Sequence, residues 1–338
     1  MHLNQNSTAK PFWQSHGVSR ALAAALALFG VFSGTVPLRA QLALEIEPGA
    51  ARIWSAELKG RRVAVDPPRL PRVAIAAEGG HVIAGEDFAS GDLFFLQRTR
   101  EETADLPTPP SREGTLRTGP VLLAANERLE GAAWLEGSSP YDSNVLAAAW
   151  NGTSWEPAET VSMHSTGPQL ALSAAVLEDG SWLLIWAGFD GSDDDIFWSR
   201  RDQGTWSEPR RLHPNNDVPD ILPTVAMSDG GARAAWSFFD GSDYRVRTAR
   251  WNGSGWTPEP ALEGRGPDRA RLEVVEGRSF LTFQTVVPEA WHLVEFDDSG
   301  ARSLSTSDLK YAEAPLIVID ENAQALLSWP WRREELRP

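Results

Sequence analysis

Apolar residues in this chain fall in short blocks broken by Gly, Asp, Asn and Pro. They alternate or run continuously, and no stretch of the folded region keeps a helical period, so the pattern predicts strands. A unit recurs. An apolar run begins near a proline, turns at Gly or Asp, returns as a second apolar run, and is followed by a third run and a short Pro-containing segment. First strands are predicted to begin near Pro71, Pro120, Pro168, Pro223, Pro267 and Pro315, at spacings of 49, 48, 55, 44 and 48 residues. Second strands end at Trp134, Trp186, Trp236, Phe283 and Trp329, with Glu86 at that place in the first unit. Third strands are predicted at 92–98, 144–150, 195–201, 245–251 and 291–296. Turns follow at Asn151-Gly152, Gln203-Gly204, Asn252-Gly253 and Ser299-Gly300, and Asn-Gly between apolar runs is a strong hairpin signal.

Two copies of the unit are plainest. Residues 179–212 and 229–262 align at an offset of 50, matching Trp186 with Trp236, FDGSD at 189–193 with 239–243, and Trp206 with Trp256. A period of this size marks a solenoid, propeller or array. Inner strands such as SWLLIWAG at 181–188 are apolar on both faces, as strands covered from both sides must be. The fourth strand carries proline (Pro209; Pro258 and Pro260), which suits an edge where a missing N–H costs little. These traits describe four-stranded antiparallel propeller blades.

The chain ends supply half-units. Residues 52–57 and 61–65, turning at Lys59-Gly60, resemble the second half of a unit: IWS at 53–55 matches FWS at 197–199. The last unit holds only first-half strands, 316–319 and 323–329. Joining them predicts an all-β, six-bladed β-propeller with no open radial edge. Its blades lie near 71–119, 120–167, 168–222, 223–266 and 267–314, and the sixth combines 315–338 with 45–66, within one domain over 41–338.

Composition narrows the function classes. The first 40 residues carry Lys10, Arg20 and Arg39, no acid, and an apolar run from Ala21 to Val36, followed by Ala40-Gln41. This reads as a secretory signal cleaved near Ala40 and places the protein outside the cytoplasm, periplasmic or secreted. No segment of the mature chain is apolar for long enough to span a bilayer as a helix. The net charge of −15 becomes −18 without the signal, which disfavours nucleic acid as a partner. The absence of Cys excludes disulfides and thiolate chemistry. Fifteen Trp against three Tyr point to a recurring buried packing position, so Trp155, Trp206 and Trp256 are expected to be packing residues.

The second half-unit, DIFWSRRDQGTWSEPRRL at 195–212, resembles the Asp-box (bacterial neuraminidase) repeats of the sialidase superfamily. In WNGTSW and WNGSGW the Gly and Trp of S-x-D-x-G-x-x-W keep their spacing, with Trp150 and Trp251 at the Asp position; in blade three Asp202 and Gly204 keep theirs. The box is a structural hairpin lock, so the resemblance implies fold. It further implies a site of clamp arginines, a Tyr nucleophile with a Glu partner, and an Asp acid. Onto this sequence it maps Arg69 of Arg69-Leu70-Pro71, Arg265, Tyr311, Glu313, and Asp87 and Asp92; a third clamp arginine has no counterpart.

Charge points elsewhere. Loops between strands two and three, and between blades, hold Tyr141, Asp142, Asp190, Asp193, Asp195, Asp217, Asp220, Asp240, Asp243 and Tyr244. Such a face repels an anionic sugar and suits a neutral glycan, a cationic peptide or Ca²⁺. Asp190, Asp193 and Asp195 form the candidate calcium loop, although their spacing matches no complete motif and Asp-Gly pairs also serve plain turns. His164 and His213 read as surface loop residues. No cofactor motif is present. The leading expectation is a non-catalytic propeller binding a glycan or protein through this acidic face, using Tyr141, Asp142, Asp190, Asp193, Asp220, Asp240, Asp243 and Tyr244. The alternative is a sialidase-type glycoside hydrolase.

Overall fold

The computed structural model describes residues 54–58, 61–65, 69–87, 89–99, 101–139, 141–162, 167–266, 268–297, 300–307, 316–319 and 324–328. The signal segment, His164, Tyr311, Glu313 and Trp329 lie outside these residues. Within them the chain is all-β, and no helix is long and apolar enough to cross a membrane.

Five antiparallel sheets follow one another along the chain. Sheet one is β3 (Arg69–Ala77), β4 (Gly80–Asp87), β5 (Asp92–Arg98) and β6 (Thr103–Leu106). Sheet two is β7 (Leu116–Ala125), β8 (Arg128–Gly137), β9 (Ser143–Ala149) and β10 (Glu159–Thr160). Sheet three is β11 (Gln169–Val176), β12 (Trp182–Phe189), β13 (Asp194–Asp202) and β14 (Thr205–Trp206), with β15 (Arg210–Arg211) also on β13. Sheet four is β16 (Asp220–Ser228), β17 (Gly231–Phe239), β18 (Tyr244–Trp251) and β19 (Trp256–Pro258). Sheet five is β20 (Asp268–Val275), β21 (Arg278–Val286), β22 (Glu289–Asp297) and β23 (Gly300–Ser307). The hairpins β1 (Trp54–Leu58)–β2 (Arg61–Val65) and β24 (Leu316–Ile319)–β25 (Ala325–Ser328) are separate two-stranded sheets. The third strand of sheet one coincides with its predicted bounds, and the others differ by one or two residues.

The sheets stack in phase. At one end, turns of adjacent sheets meet: Glu78 N donates to Glu127 O at 2.8 Å, and Asp229 N to Gly277 O at 3.2 Å. Midway, Val225 N donates to Ser173 Oγ and Leu272 N to Thr224 Oγ1, tying neighbouring first strands. At the other end, called the top, Arg117 N donates to Gly91 O. Apolar clusters fill each space between consecutive sheets, so both faces of an inner strand are covered. The β24–β25 hairpin packs on sheet five, where Phe280 and Leu293 meet Ile317 and Ala325.

Two predicted phases shift. Pro71, Pro120 and Pro223 sit inside β3, β7 and β16 at register shifts, instead of opening those strands. A residue without an N–H is tolerated where the ladder is already interrupted. The residue equivalent to Pro168 is Pro219: Phe189 N donates to Pro168 O, and Phe239 N to Pro219 O, both at 3.1 Å. The packing position lies three residues before the end of each second strand, at Trp134, Trp186, Trp236 and Phe283, all fully or almost fully buried. In sheet one that place belongs to Ala84 and not to Glu86; the aromatic ring comes from its cross-strand partner Phe95. Each buried Trp contributes about 2–3 kcal/mol of transfer free energy, provided its N–H is satisfied. Trp186 Nε1 donates to Gln169 Oε1 at 2.5 Å, Trp236 Nε1 to Asp220 Oδ1 at 2.7 Å, and Trp134 Nε1 to Glu136 Oε2 at 2.9 Å.

Trp155 is buried, and its Nε1 donates to Pro107 O. Trp206 and Trp256 are half-buried against the clusters between sheets two and three, and three and four. All three pack as expected.

Candidate functional site

The top end carries the starts of the first strands and the loops between second and third strands. In sheets three and four these loops are built alike. Asp190 Oδ1 accepts Ser192 N and Asp193 N, and Asp240 Oδ1 accepts Ser242 N and Asp243 N. Asp and Gly therefore do serve turn geometry there, with Gly191 and Gly241 at φ of 109° and 94°. Each Asp also holds an arginine: Asp190 pairs with Arg211, Asp240 with Arg245 at 2.7 Å. The Ser192 and Asp193 N–H groups, with Arg211, hold Asp190 below the usual carboxylate range. The Asp243 N–H, Arg245 and Ser242 do the same for Asp240.

Below the sheet-three loop lies a buried polar cluster. Asp195 on β13 and Asp220 at the start of β16 are both fully buried. His213, from the segment joining β15 to β16, is 6% exposed and lies between them, so it is not a surface residue as expected. Its ring stacks on Trp236 at 5.6 Å between centroids and 12° between planes. An indole face on one side and two strands on the other explain why a loop histidine ends up inside. Asp195 Oδ2 accepts Arg211 Nε at 2.5 Å; Asp220 Oδ2 accepts Asn216 Nδ2 at 2.9 Å. Neither oxygen of Asp193 has a hydrogen-bond partner, though both are buried. Burial, then the charges of Asp195, Asp190, Asp220 and Asp217, push Asp193 up to about 6. Burial likewise raises Asp195, opposed by Arg211 and His213. Burial and the charges of Asp194 and Asp220 raise Tyr244, whose ring meets Phe239 edge-on at 5.4 Å.

The ligand atoms of Asp190, Asp193 and Asp195 lie within 4.8 Å of one another, so the structure brings the three calcium candidates together; those of Asp195, His213 and Asp220 do so as well. Other face residues stand apart from this cluster. Tyr141 is 85% exposed, Asp142 accepts Ser138 Oγ at 2.8 Å, and Asp243 faces Arg265 at 3.6 Å.

The residues mapped from the sialidase resemblance are held by ion pairs. Arg69 pairs with Asp105 at 2.9 Å and Asp87 at 3.6 Å. Asp87 also caps the turn at Ala89 and Ser90. Asp92 pairs with Arg117, a fully buried residue that sequence reasoning passed over. Arg265 is exposed beside Asp243. Arg233, Arg250 and Arg278 line a cleft of about 730 Å³ at the end opposite the top, between sheets three, four and five. Arg233 there pairs with Glu259 and Arg278 with Glu295. No sequence motif marks this cleft; its signal is the glycine-rich turn Asp229-Gly230-Gly231 facing Gly277.

No protein-family model and no curated protein matches the chain. Solved structures do. A putative 6-phosphogluconolactonase from Bacteroides uniformis aligns with TM-score 0.53 at 13% identity, over 85% of this chain and 87% of its own. A protein of unknown function from Dyadobacter fermentans aligns with TM-score 0.51 at 13% identity, over 70% and 81%. A puromycin-hydrolysing peptidase from Mycobacterium tuberculosis aligns with TM-score 0.50 at 12% identity; it covers 91% of this chain, which spans about half (52%) of the peptidase. At these identities the likeness is one of fold, and with the in-phase stack of four-stranded sheets it makes the chain β-propeller-like.

Proposed function

We propose that the chain is an exported, six-bladed, sialidase-like propeller that works as a non-catalytic binding module through its acidic top face. Its export rests on the signal-like segment ending near Ala40. Closure of the ring through β1–β2 is favoured by the side of sheet one turned away from sheet two, where Ala74, Ile83, Phe94 and Leu96 form a buried cluster of their own. Such a face must be covered by something.

One observation carries the binding reading. Among the described residues, the exposed large hydrophobics are Leu116, Tyr141, Leu170, Leu222, Val286 and Val287, and all sit at the top ends of their strands or in the adjoining loops. They share that end with Asp190, Asp193, Asp240 and Asp243. Aliphatic side chains set among carboxylates suit a protein segment that offers apolar and basic groups. Sugars stack on exposed rings, and Tyr141 is the ring available to a neutral glycan here. The protein partner is therefore the stronger reading. Hydrolysis is disfavoured because Arg69 and Arg265 already face aspartates, and a clamp must spend its guanidinium on the substrate carboxylate.

The test is a paired screen of the full chain against a peptide array of varied charge and a glycan array, with Tyr141→Ser, Leu222→Ser and Val286→Ser combined as control. Binding of basic apolar peptides that the triple variant loses is expected. Saturable sialoside turnover abolished by Arg69→Ala would overturn the reading.

A further inference from the structure

Four carboxylates, Asp190, Asp193, Asp195 and Asp220, crowd the top of the interface between sheets three and four, and Arg211 is the cation bonded among them. Buried carboxylates persist when paired or metal-bound. The bonds here are unevenly spread. Asp195 Oδ1 and His213 Nε2 have no hydrogen-bond partner, although their side chains are 0% and 3% exposed. Buried polar atoms without partners are rare, and each asks for an explanation.

We propose that Asp195 Oδ1, His213 Nε2 and Asp220 Oδ2 bind one divalent transition-metal cation of the Zn²⁺ or Mn²⁺ type. His213 Nε2 lies 3.8 Å from Asp195 Oδ1 and 3.4 Å from Asp220 Oδ2. Both separations exceed a good N–H···O bond. Metal–ligand bonds of about 2.0–2.2 Å at a tetrahedral centre set neighbouring ligand atoms roughly 3.3–3.6 Å apart, so the 3.4 Å pair fits one ion directly and the 3.8 Å pair fits after a small inward shift of Asp195.

The surrounding bonds orient these atoms. His213 Nδ1 is 2.9 Å from Pro214 O. A carbonyl only accepts, so Nδ1 carries the hydrogen and Nε2 is left facing the two carboxylates, where a bound metal takes the place of any proton on it. Metal-binding histidines are held in this way, with the other ring nitrogen donating to a carbonyl or carboxylate. Both carboxylates are also held through the oxygen turned away from the site, Asp195 Oδ2 by Arg211 Nε and Asp220 Oδ1 by Trp236 Nε1, while Asn216 Nδ2 shares Asp220 Oδ2. Asp193, whose buried oxygens have no hydrogen-bond partner, groups with Asp195 and is a further carboxylate beside the site. One imidazole nitrogen with carboxylates selects a transition metal over Ca²⁺, which takes oxygen ligands. The candidate calcium trio is the poorer transition-metal site because it offers no nitrogen ligand and its Asp190 already pairs with Arg211. Since the ligands come from β13, the β15–β16 segment and β16, the ion would staple two sheets beneath the binding face.

The experiment uses chelator-treated full chain titrated with ZnCl₂ or MnCl₂ in a calorimeter, with CaCl₂ as comparison. One equivalent of transition metal is expected to bind, weakened at least about 100-fold by His213→Gln or Asp195→Asn, at or beyond the upper end of what second-shell changes cost. Asp240→Asn, in the equivalent loop of sheet four, is expected to change affinity less than about two-fold because it touches no ligand atom. Should the ligand variants fail to fold, Co²⁺ loading of the unmodified chain reads the same point: a visible absorption band of low-symmetry Co²⁺ with nitrogen and oxygen ligands is expected. Substoichiometric binding, tighter binding of Ca²⁺, affinity unchanged by His213→Gln, or only the hexa-aqua Co²⁺ spectrum would overturn the site. None of these readouts involves a peptide or glycan, so they stand apart from the test of the binding face.

Discussion

Asp92 is the residue over which a structural and a catalytic role part most cleanly. It pairs with Arg117, whose side chain is 1% exposed. Arg117 Nη1 also donates to Pro109 O at 2.7 Å, and its guanidinium lies 5.7 Å from the Trp134 ring centroid. Asp92→Ala would leave that charge inside without a counter-ion, a loss of about 3–5 kcal/mol. Since the Asp92 side chain is 32% exposed, water reaches the gap and the lower end, about 3 kcal/mol, is expected. Arg117→Met removes the buried charge, keeps most of the volume, and lets Asp92 hydrate. It forfeits the bond to Pro109 O and the contact with Trp134, about 1–2 kcal/mol. The assay is urea unfolding followed by tryptophan fluorescence, where 3 kcal/mol moves the midpoint by about 1 M. If Asp92→Ala costs no more than Arg117→Met, the pairing argument fails. A catalytic acid would instead show little change in stability and a loss of turnover.

Three further outcomes follow from the packing. Trp236→Phe and Trp186→Phe delete the same atoms, but the first abandons the carboxylate of Asp220 and the second the amide of Gln169; bonds to charged groups are worth more, so urea unfolding of metal-free protein should find Trp236→Phe worse by about 1 kcal/mol. Gly131→Ala places a Cβ 2.3 Å from the Trp182 ring and 2.7 Å from Ala148 O, and overpacking of this kind should lower stability by about 1–3 kcal/mol in the same assay. Burial alone would raise the Glu295 carboxyl, but Arg302 and Arg278 outweigh it and hold it below the usual range. Its contribution is therefore present above the unfolded value and is lost as pH falls through the folded one. Urea midpoints from pH 7 down to 3 should decline less steeply in Glu295→Gln than in the unmodified chain.

Strand order was legible because the apolar runs, the Trp period and the Asn-Gly turns are local signals. The phase of sheet four was not: Pro223 and Pro219 are four residues apart, and only the bond from Phe239 N tells which is equivalent to Pro168. The turn role of Asp190 and Asp240 could be read from Asp-Gly alone. The burial of His213 could not, because it depends on Trp236 stacking from the next sheet. Arg117 was invisible for the same reason, since its partner Asp92 belongs to the preceding sheet. The pattern along a strand records which face is apolar; it carries little about which polar groups two sheets bring together.

The claim that the top face is a binding surface is tested most directly by calorimetric titration of the full chain with a Lys/Leu-rich peptide at 50 mM and 500 mM salt. Saturable binding is expected at low salt. It should weaken at high salt as charges are screened, and fall further in the Tyr141→Ser, Leu222→Ser and Val286→Ser combination. No binding at low salt, or affinity indifferent to both salt and the triple substitution, would contradict the account.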